Sequence, residues 1–307
     1  MFWNKMEGNL EKISIELTSF CNFQCVGCPI LNLPRGSGHM SIELFEKIIN
    51  ESKSKINKIF LWNYGEPLMN PNIEEMMDIL RKFPGETVMS TNCSLLGSFK
   101  DLSFLGVLSE IILSINGLDK ESYGFHQKGG DFEEVIQGVK KLSKTIKDNS
   151  LKTKVILQIV ANKQNIQSLS PERLKKFGED LGVDIVVVKS FNVMDKKKET
   201  FDKFVPKNTK YSRYQKVSKS NKYPCRNTIV INWDGSVNPC CFDYKGEYIL
   251  GNVKDDTIFQ IWNSEKSKKL REGISRSEFP SFCVDCAGSK VIDQIDISNK
   301  KQDTRSI

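Results

Sequence analysis

Residues 12–190 read as a partial (β/α)6 TIM-like barrel, an α/β fold, followed by a small cysteine-bearing C-terminal domain. Three observations predict this. Six short apolar runs rich in β-branched residues alternate with helical periodicity up to residue 190, which implies right-handed βαβ units and a parallel sheet. Composition then shifts to Lys, Asn, Ser and Tyr over 191–222. From 223 onward short strands, turns and paired cysteines take over.

The strands are expected at 12–18, 58–63, 86–90, 110–115, 154–161 and 184–189. Helices are expected at 41–54, 71–83, 99–105, 132–148 and 171–181. Two helix starts are marked chemically. Asp131 with Glu134 resembles a capping box, and Ser170 places a capping hydroxyl before Pro171 at the first helical position. Residues 1–11 form an N-terminal extension, 12–190 the barrel, 191–222 a linker, 223–288 the second domain and 289–307 a loosely held polar tail. Within the second domain, 228–232 reads as a strand, Asp234-Gly235 as its turn and 258–271 as a helix.

The 307 residues carry a net charge of +7, with mean hydropathy −0.37. Lysines are spread along the chain, and no nucleic-acid-binding signature accompanies them, so a solvated surface rather than a nucleic-acid partner is expected. No window holds an apolar run of membrane-spanning length, so no membrane association is expected. The N-terminus lacks a signal-peptide layout, and a cytoplasmic, reducing address follows as the expectation. There, the nine cysteines are better read as metal ligands or catalytic thiols than as disulfides.

Cys21, Cys25 and Cys28 follow the first strand directly. Zinc would want a fourth ligand, and the nearest histidine, His39, lies in a glycine-rich stretch. Three thiolates instead leave one iron of a [4Fe–4S] cube open to a chelating ligand. This C-x3-C-x2-C loop resembles that of the radical S-adenosylmethionine (SAM) enzymes. Asn63-Tyr64-Gly65-Glu66-Pro67 resembles the Gly-Gly-Glu-Pro motif of that family, with Tyr64 in place of its first glycine. By that resemblance Gly65, Glu66 and Pro67 hold the SAM amino group. Ser114-Ile115-Asn116-Gly117 is similar to the segment that reaches the ribose hydroxyls, which implies Ser114 and Asn116 as SAM contacts, Asn116 replacing an aspartate. Ser90-Thr91-Asn92-Cys93 resembles a Ser-Thr-Asn-Gly segment. Gln127 and Lys128 stand where arginine is frequent.

Cys225, Cys240, Cys283 and Cys286 form a second set, for which structural zinc is the alternative. The spacing Cys225-x9-Gly235-x4-Cys240 resembles the auxiliary-cluster domain called SPASM, in its shorter "twitch" form. One auxiliary [4Fe–4S] cluster is then implied, giving two clusters and SAM as cofactors. Four thiolates leave no free iron, so electron transfer is its expected task.

The resemblance implies reductive SAM cleavage to a 5′-deoxyadenosyl radical, fed by a flavodoxin- or ferredoxin-type reductant, and hydrogen abstraction from substrate. Among twitch-bearing enzymes the chain looks most like the aminocyclitol (2-deoxy-scyllo-inosamine) dehydrogenase type. Oxidation of a hydroxyl on a small polar, sugar-like substrate is the expectation, with Lys189 or Arg213 as base. A first strand starting near residue 12 leaves no room for a preceding leader-peptide domain, which favours a small molecule over a peptide. The alternatives are an epimerase with Cys93 or Cys241 as hydrogen donor, and a peptide maturase. A plain electron carrier would not need residues 29–190.

Overall fold

The structure is a computed structural model that describes residues 9–191, 193, 197–207, 209–211, 227–276, 278, 280–283 and 291–298. Six parallel strands lie side by side in chain order: β1 (Lys12–Ile15), β2 (Lys58–Leu61), β3 (Glu86–Thr91), β4 (Glu110–Ser114), β5 (Lys154–Ala161) and β6 (Ile185–Ser190). Lys12 pairs with Lys58 and Lys58 with Glu86, but Glu110 pairs with Val88 and Ile185 with Ile156. Those two-residue staggers tilt the strands as barrel curvature requires.

The crossovers carry α1 (Ile42–Ser52), α2 (Ile73–Leu80), α3 (Lys120–His126), α4 (Phe132–Asp148) and α5 (Pro171–Leu181). Both helix starts marked in the sequence form caps: Asp131 accepts from Glu134 N, and Ser170 accepts from Arg173 N ahead of Pro171. Between β3 and β4 the expected helix is replaced by a 3-10 turn, Ser103–Val107. Helix α3 was not anticipated, because its seven residues are too few to show a period.

Side chains alternate across the sheet. Ile13, Ile59, Met89, Ile111, Leu157 and Val186 face the helices and join one continuous core with residues such as Phe45, Met76, Val139 and Leu174. On the other parity Ile156, Ile185 and Val187 are buried in a small apolar cluster with Ile112, whereas Phe60, Ser90, Ser114, Gln158 and Lys189 are only partly buried. The inner wall is thus polar and accessible toward the C-terminal strand ends, where barrel sites are built.

The C-terminal region continues this sheet. β7 (Thr228–Ile231) runs parallel to β1, and β8 (Ser236–Asn238) and β9 (Gly251–Asn252) follow antiparallel; with β10 (Val291–Asp296) the order is β10-β6-β5-β4-β3-β2-β1-β7-β8-β9. The β7–β8 turn is the expected one: Gly235 takes φ +86° and its N–H donates to Asn232 O at 2.9 Å. Part of the expected linker is a short helix, α6 (Lys198–Phe204). The single helix expected over 258–271 is two, α7 (Ile258–Asn263) and α8 (Glu265–Ser275). They break at Ser264, whose extended backbone caps α8. Within the stretch read as a loose tail, β10 (Val291–Asp296) pairs antiparallel with β6, an edge that parallel crossovers leave unfilled.

Candidate functional site

The loop leaving β1 carries Cys21, Cys25 and Cys28, all partly buried. It is clamped from outside: Gln24 N donates to Lys128 O at 2.9 Å and Val26 N to His126 O at 3.0 Å, so the α3–α4 connection holds it. Burial, and then the charges of Cys28 and Cys21, push the Cys25 thiol far up. The three thiols share one short loop, and a cation bound beside them is what would hold all three as thiolates. Backbone and side-chain N–H groups already point at sulfur: Phe23 N lies 3.5 Å and Asn92 Nδ2 3.9 Å from Cys21 Sγ. Among the described residues no three His, Cys, Asp or Glu side chains are placed to hold a single ion. His39 stacks near Phe20 with ring centroids 4.7 Å apart. The donor set fits an iron–sulfur cube with an open corner.

Gly65 sits against this loop with φ +88°; a Cβ there would lie 2.1 Å from Thr18 O and 2.9 Å from Phe20 O. Only glycine permits that approach. Glu66, expected to meet the SAM ammonium with its carboxylate, is instead fully enclosed. Its Oε1 accepts from Thr91 Oγ1 at 2.7 Å and Leu68 N at 3.2 Å, and its Oε2 from Asn92 N at 2.7 Å. The side chain fastens β3 to the loop after β2. Burial lifts the Glu66 carboxyl to about 7 despite those donors.

A stability consequence follows. The folded SAM-free protein keeps the Glu66 proton up to about pH 7, whereas the unfolded chain releases it near the ordinary carboxylate value. The folded state therefore binds more protons between those limits, and stability falls as pH rises through that window. Glu66→Gln is expected to flatten this slope in a thermal-melting series from pH 4.5 to 7.5; an unchanged slope would refute the assignment.

Asn116 is buried, and its Oδ1 accepts from Val160 N at 2.8 Å, tying β4 to β5. Only its Nδ2 is left to donate toward a ribose hydroxyl. Gln127, which sequence reasoning noted only as a departure, braces the same strand end: its Oε1 accepts from Asn116 N at 2.7 Å and its Nε2 donates to Ser114 O at 2.8 Å. Ser114 Oγ lies 3.1 Å from Ser90 Oγ on the inner face. Lys128 is exposed and donates to Gly124 O.

Of the proposed catalytic residues, Cys93 corrects an expectation. It is fully buried in the sheet–helix core, takes φ +69° and directs Sγ at Thr91 O, 3.6 Å away. It substitutes for glycine in backbone conformation and lies shut off from any substrate. Cys241 is exposed. Lys189 ends β6 on the inner face between Val160 and Val291, and burial lowers its ammonium pKa. Arg213, Cys225 and Cys286 lie outside the described residues. Cys240 is buried with Sγ 3.1 Å from Phe242 N, and Cys283 ends a 3-10 turn.

One group went unread in the sequence. Glu16, wholly buried on the inner face, is held by Arg35 Nη2 at 2.8 and 2.6 Å, by Asn63 Nδ2 at 2.8 Å and by Tyr64 N at 3.1 Å. Burial lifts its pKa above the ordinary value, with Arg35 pulling it back. Arg35 also donates to Tyr244 O at 3.3 Å, and Asn63 to Asn232 Oδ1 at 3.2 Å, so the hub joins the cysteine loop, the barrel and the C-terminal hairpin. Its signal was a carboxylate directly after the first strand, on the parity of Ser14 and between the apolar Ile15 and Leu17. Tyr64 donates its hydroxyl to Cys241 O at 2.5 Å. Burial pushes its phenol pKa well up, and the thiols of Cys241, Cys28 and Cys240 add to it.

The family model described as the Radical SAM superfamily matches residues 15–180, and that of an iron–sulfur cluster-binding domain, SPASM, matches residues 223–287. A cofactor-modifying protein for tungsten-containing aldehyde ferredoxin oxidoreductase from Pyrococcus furiosus is 24% identical over 91% of this chain and 87% of its own. The subtilosin biosynthesis protein AlbA of Bacillus subtilis is 24% identical over 90% of this chain and 64% of its own. Among solved structures, BtrN with AdoMet and 2-DOIA superposes with TM-score 0.55 at 18% identity, covering 88% of this chain and 89% of that one. Streptococcus suis SuiB bound to precursor peptide SuiA gives 0.63 at 15% identity, covering 91% and 70%. Among the described residues no helix is long and apolar enough to cross a membrane.

Proposed function

Because this chain belongs to the radical SAM superfamily and carries a SPASM domain behind its barrel, we propose that it oxidises a hydroxyl-bearing small polar molecule held in the barrel. When bound, SAM and the [4Fe–4S] clusters supply a 5′-deoxyadenosyl radical and an acceptor for the electron withdrawn from the substrate. Cys21, Cys25 and Cys28 would hold the first cluster, and Cys225, Cys240, Cys283 and Cys286 the second. The carbonyls around Gly65 and Pro67, with Asn116 Nδ2, would hold SAM against the first. A flavodoxin- or ferredoxin-type protein would supply the electron for SAM cleavage.

The observation that carries this reading is the inner wall. Phe60 and Trp62, ring centroids 4.6 Å apart, offer an aromatic floor, while Ser90, Ser114 and Gln158 offer hydroxyls and an amide on neighbouring strands. Such a lining suits a ring-shaped polar molecule. Lys189 completes it with an amine whose lowered pKa raises its neutral, proton-accepting fraction. Oxidation then balances: the carbon's hydrogen atom goes to the radical, the hydroxyl proton to Lys189 Nζ and the remaining electron to the acceptor, leaving a carbonyl.

Lys189→Met is expected to keep 5′-deoxyadenosine formation and to lower carbonyl product by about 100-fold or more, the scale of a lost general base. Equal product from Lys189→Met would remove the lysine from the reaction. Mass spectrometry in D2O separates oxidation, which removes two hydrogens, from epimerisation, which exchanges one. Product loss in Cys241→Ala with SAM cleavage intact would replace oxidation by epimerisation, for which Cys241 is the accessible thiol. A peptide substrate is the second reading, favoured by likeness to a bacteriocin biosynthesis protein and to a structure holding a precursor peptide. An incubation with free aminocyclitols and sugars that gives no product, while a peptide is modified, would establish it.

A further inference from the structure

We propose that Tyr64 is a positioning residue that seats the Cys240–Cys241 loop on the barrel mouth and so fixes the separation of the two cysteine centres. The inference rests on the two-cluster reading above. Tyr64 stands where the resembling motif has glycine, and its backbone is held on both sides. Its N–H donates to the buried Glu16 carboxylate, Gly65 abuts Thr18 O and Phe20 O, and Glu66 N donates to Phe20 O at 2.8 Å. From that anchor the side chain, only 7% exposed, reaches the other segment, its hydroxyl donating to the main-chain oxygen of Cys241 at 2.5 Å.

One residue thus meets both segments: its own strand end packs on the chain leading into the first cysteine loop, and its hydroxyl bonds the main chain of the second. Arg35 lies 5.8 Å from its ring centroid, and Tyr244 meets it edge-on at 6.4 Å. Arg35 in turn donates to Tyr244 O. The ring is thus boxed between loops that belong to different ends of the sequence. A glycine at position 64 would leave a phenol-sized gap between Arg35, Tyr244 and the Cys241 main chain. Removing only the hydroxyl would keep the gap filled and lose the tie to Cys241.

The test compares Tyr64→Phe and Tyr64→Gly in the full chain, anaerobically loaded with iron and sulfide. Amide hydrogen exchange over residues 240–244, electron paramagnetic resonance of the fully reduced protein and the midpoint potential of the second cluster are read. Tyr64→Phe is expected to speed exchange about two- to tenfold, the loss of one net hydrogen bond, with the spin–spin broadening between clusters intact. Tyr64→Gly is expected to weaken that broadening, shift the potential and speed exchange further, with iron content unchanged. Parent-like broadening and potential in a fully loaded Tyr64→Gly, or unchanged exchange in Tyr64→Phe, overturns the proposal. If Tyr64→Gly fails to load, exchange in Tyr64→Phe decides. Iron for only one cluster in the parent would instead defeat the two-cluster reading, and the exchange comparison would still judge the seat.

Discussion

Replacing Cys21, Cys25 and Cys28 together with alanine is expected to abolish 5′-deoxyadenosine formation while about half of the bound iron remains. The loop supplies three thiols and no fourth donor, and the bonds that clamp it to the α3–α4 connection, such as Val26 N to His126 O, do not involve sulfur. Alanines should therefore leave the loop folded and remove the three thiols proposed to carry the SAM-cleaving centre. The second set of cysteines belongs to a different part of the chain and keeps its own iron. Retained SAM cleavage in the triple variant would refute the site. Loss of all iron would show that the two centres assemble together.

Arg35→Ala is expected to destabilise the protein by about 3–5 kcal/mol, because it leaves the Glu16 carboxylate buried without its counter-charge. Few single changes cost so much against a total stability of about 5–15 kcal/mol. The Glu16 side chain is 0% exposed and that of Arg35 14%, so water cannot replace the lost guanidinium. Two amide donors, from Asn63 and Tyr64, remain on the carboxylate but carry no charge. Neutralising the partner in Glu16→Gln/Arg35→Ala should recover part of the loss, which a double-mutant cycle in urea would measure. A cost below about 1 kcal/mol, the range of an exposed ion pair, would show that the hub is solvated. The same variant should loosen Tyr244, since Arg35 donates to its carbonyl.

Much of the site was legible because it is encoded over short stretches. A cysteine triplet, a glycine that must approach a neighbouring backbone and an N-cap hydroxyl before proline act through neighbours a few residues away. The caps at Asp131 and Ser170 and the turn at Gly235 formed where the sequence placed them for that reason. Strand existence was legible too, since six β-branched runs between amphipathic helices bury themselves in one way only. The helix expected at 99–105 failed because so short a stretch is set by its surroundings more than by its own period.

The sequence by itself determined the barrel, the three-thiol loop and the chemistry that those thiols with Gly65 and Pro67 resemble. Tertiary structure alone decided who meets whom. It joined the Glu66 carboxyl to Thr91 and Asn92, and it turned Cys93 into the hydrophobic core. It laid β7 against β1, so that the C-terminal cysteine segment joins the barrel sheet and Cys241 comes under the Tyr64 hydroxyl across 177 positions of sequence. The physical reason is that hydrogen-bond valence and burial are settled by strand adjacency. Adjacency between β1 and β7 brings together residues more than 200 positions apart, beyond the reach of any local pattern.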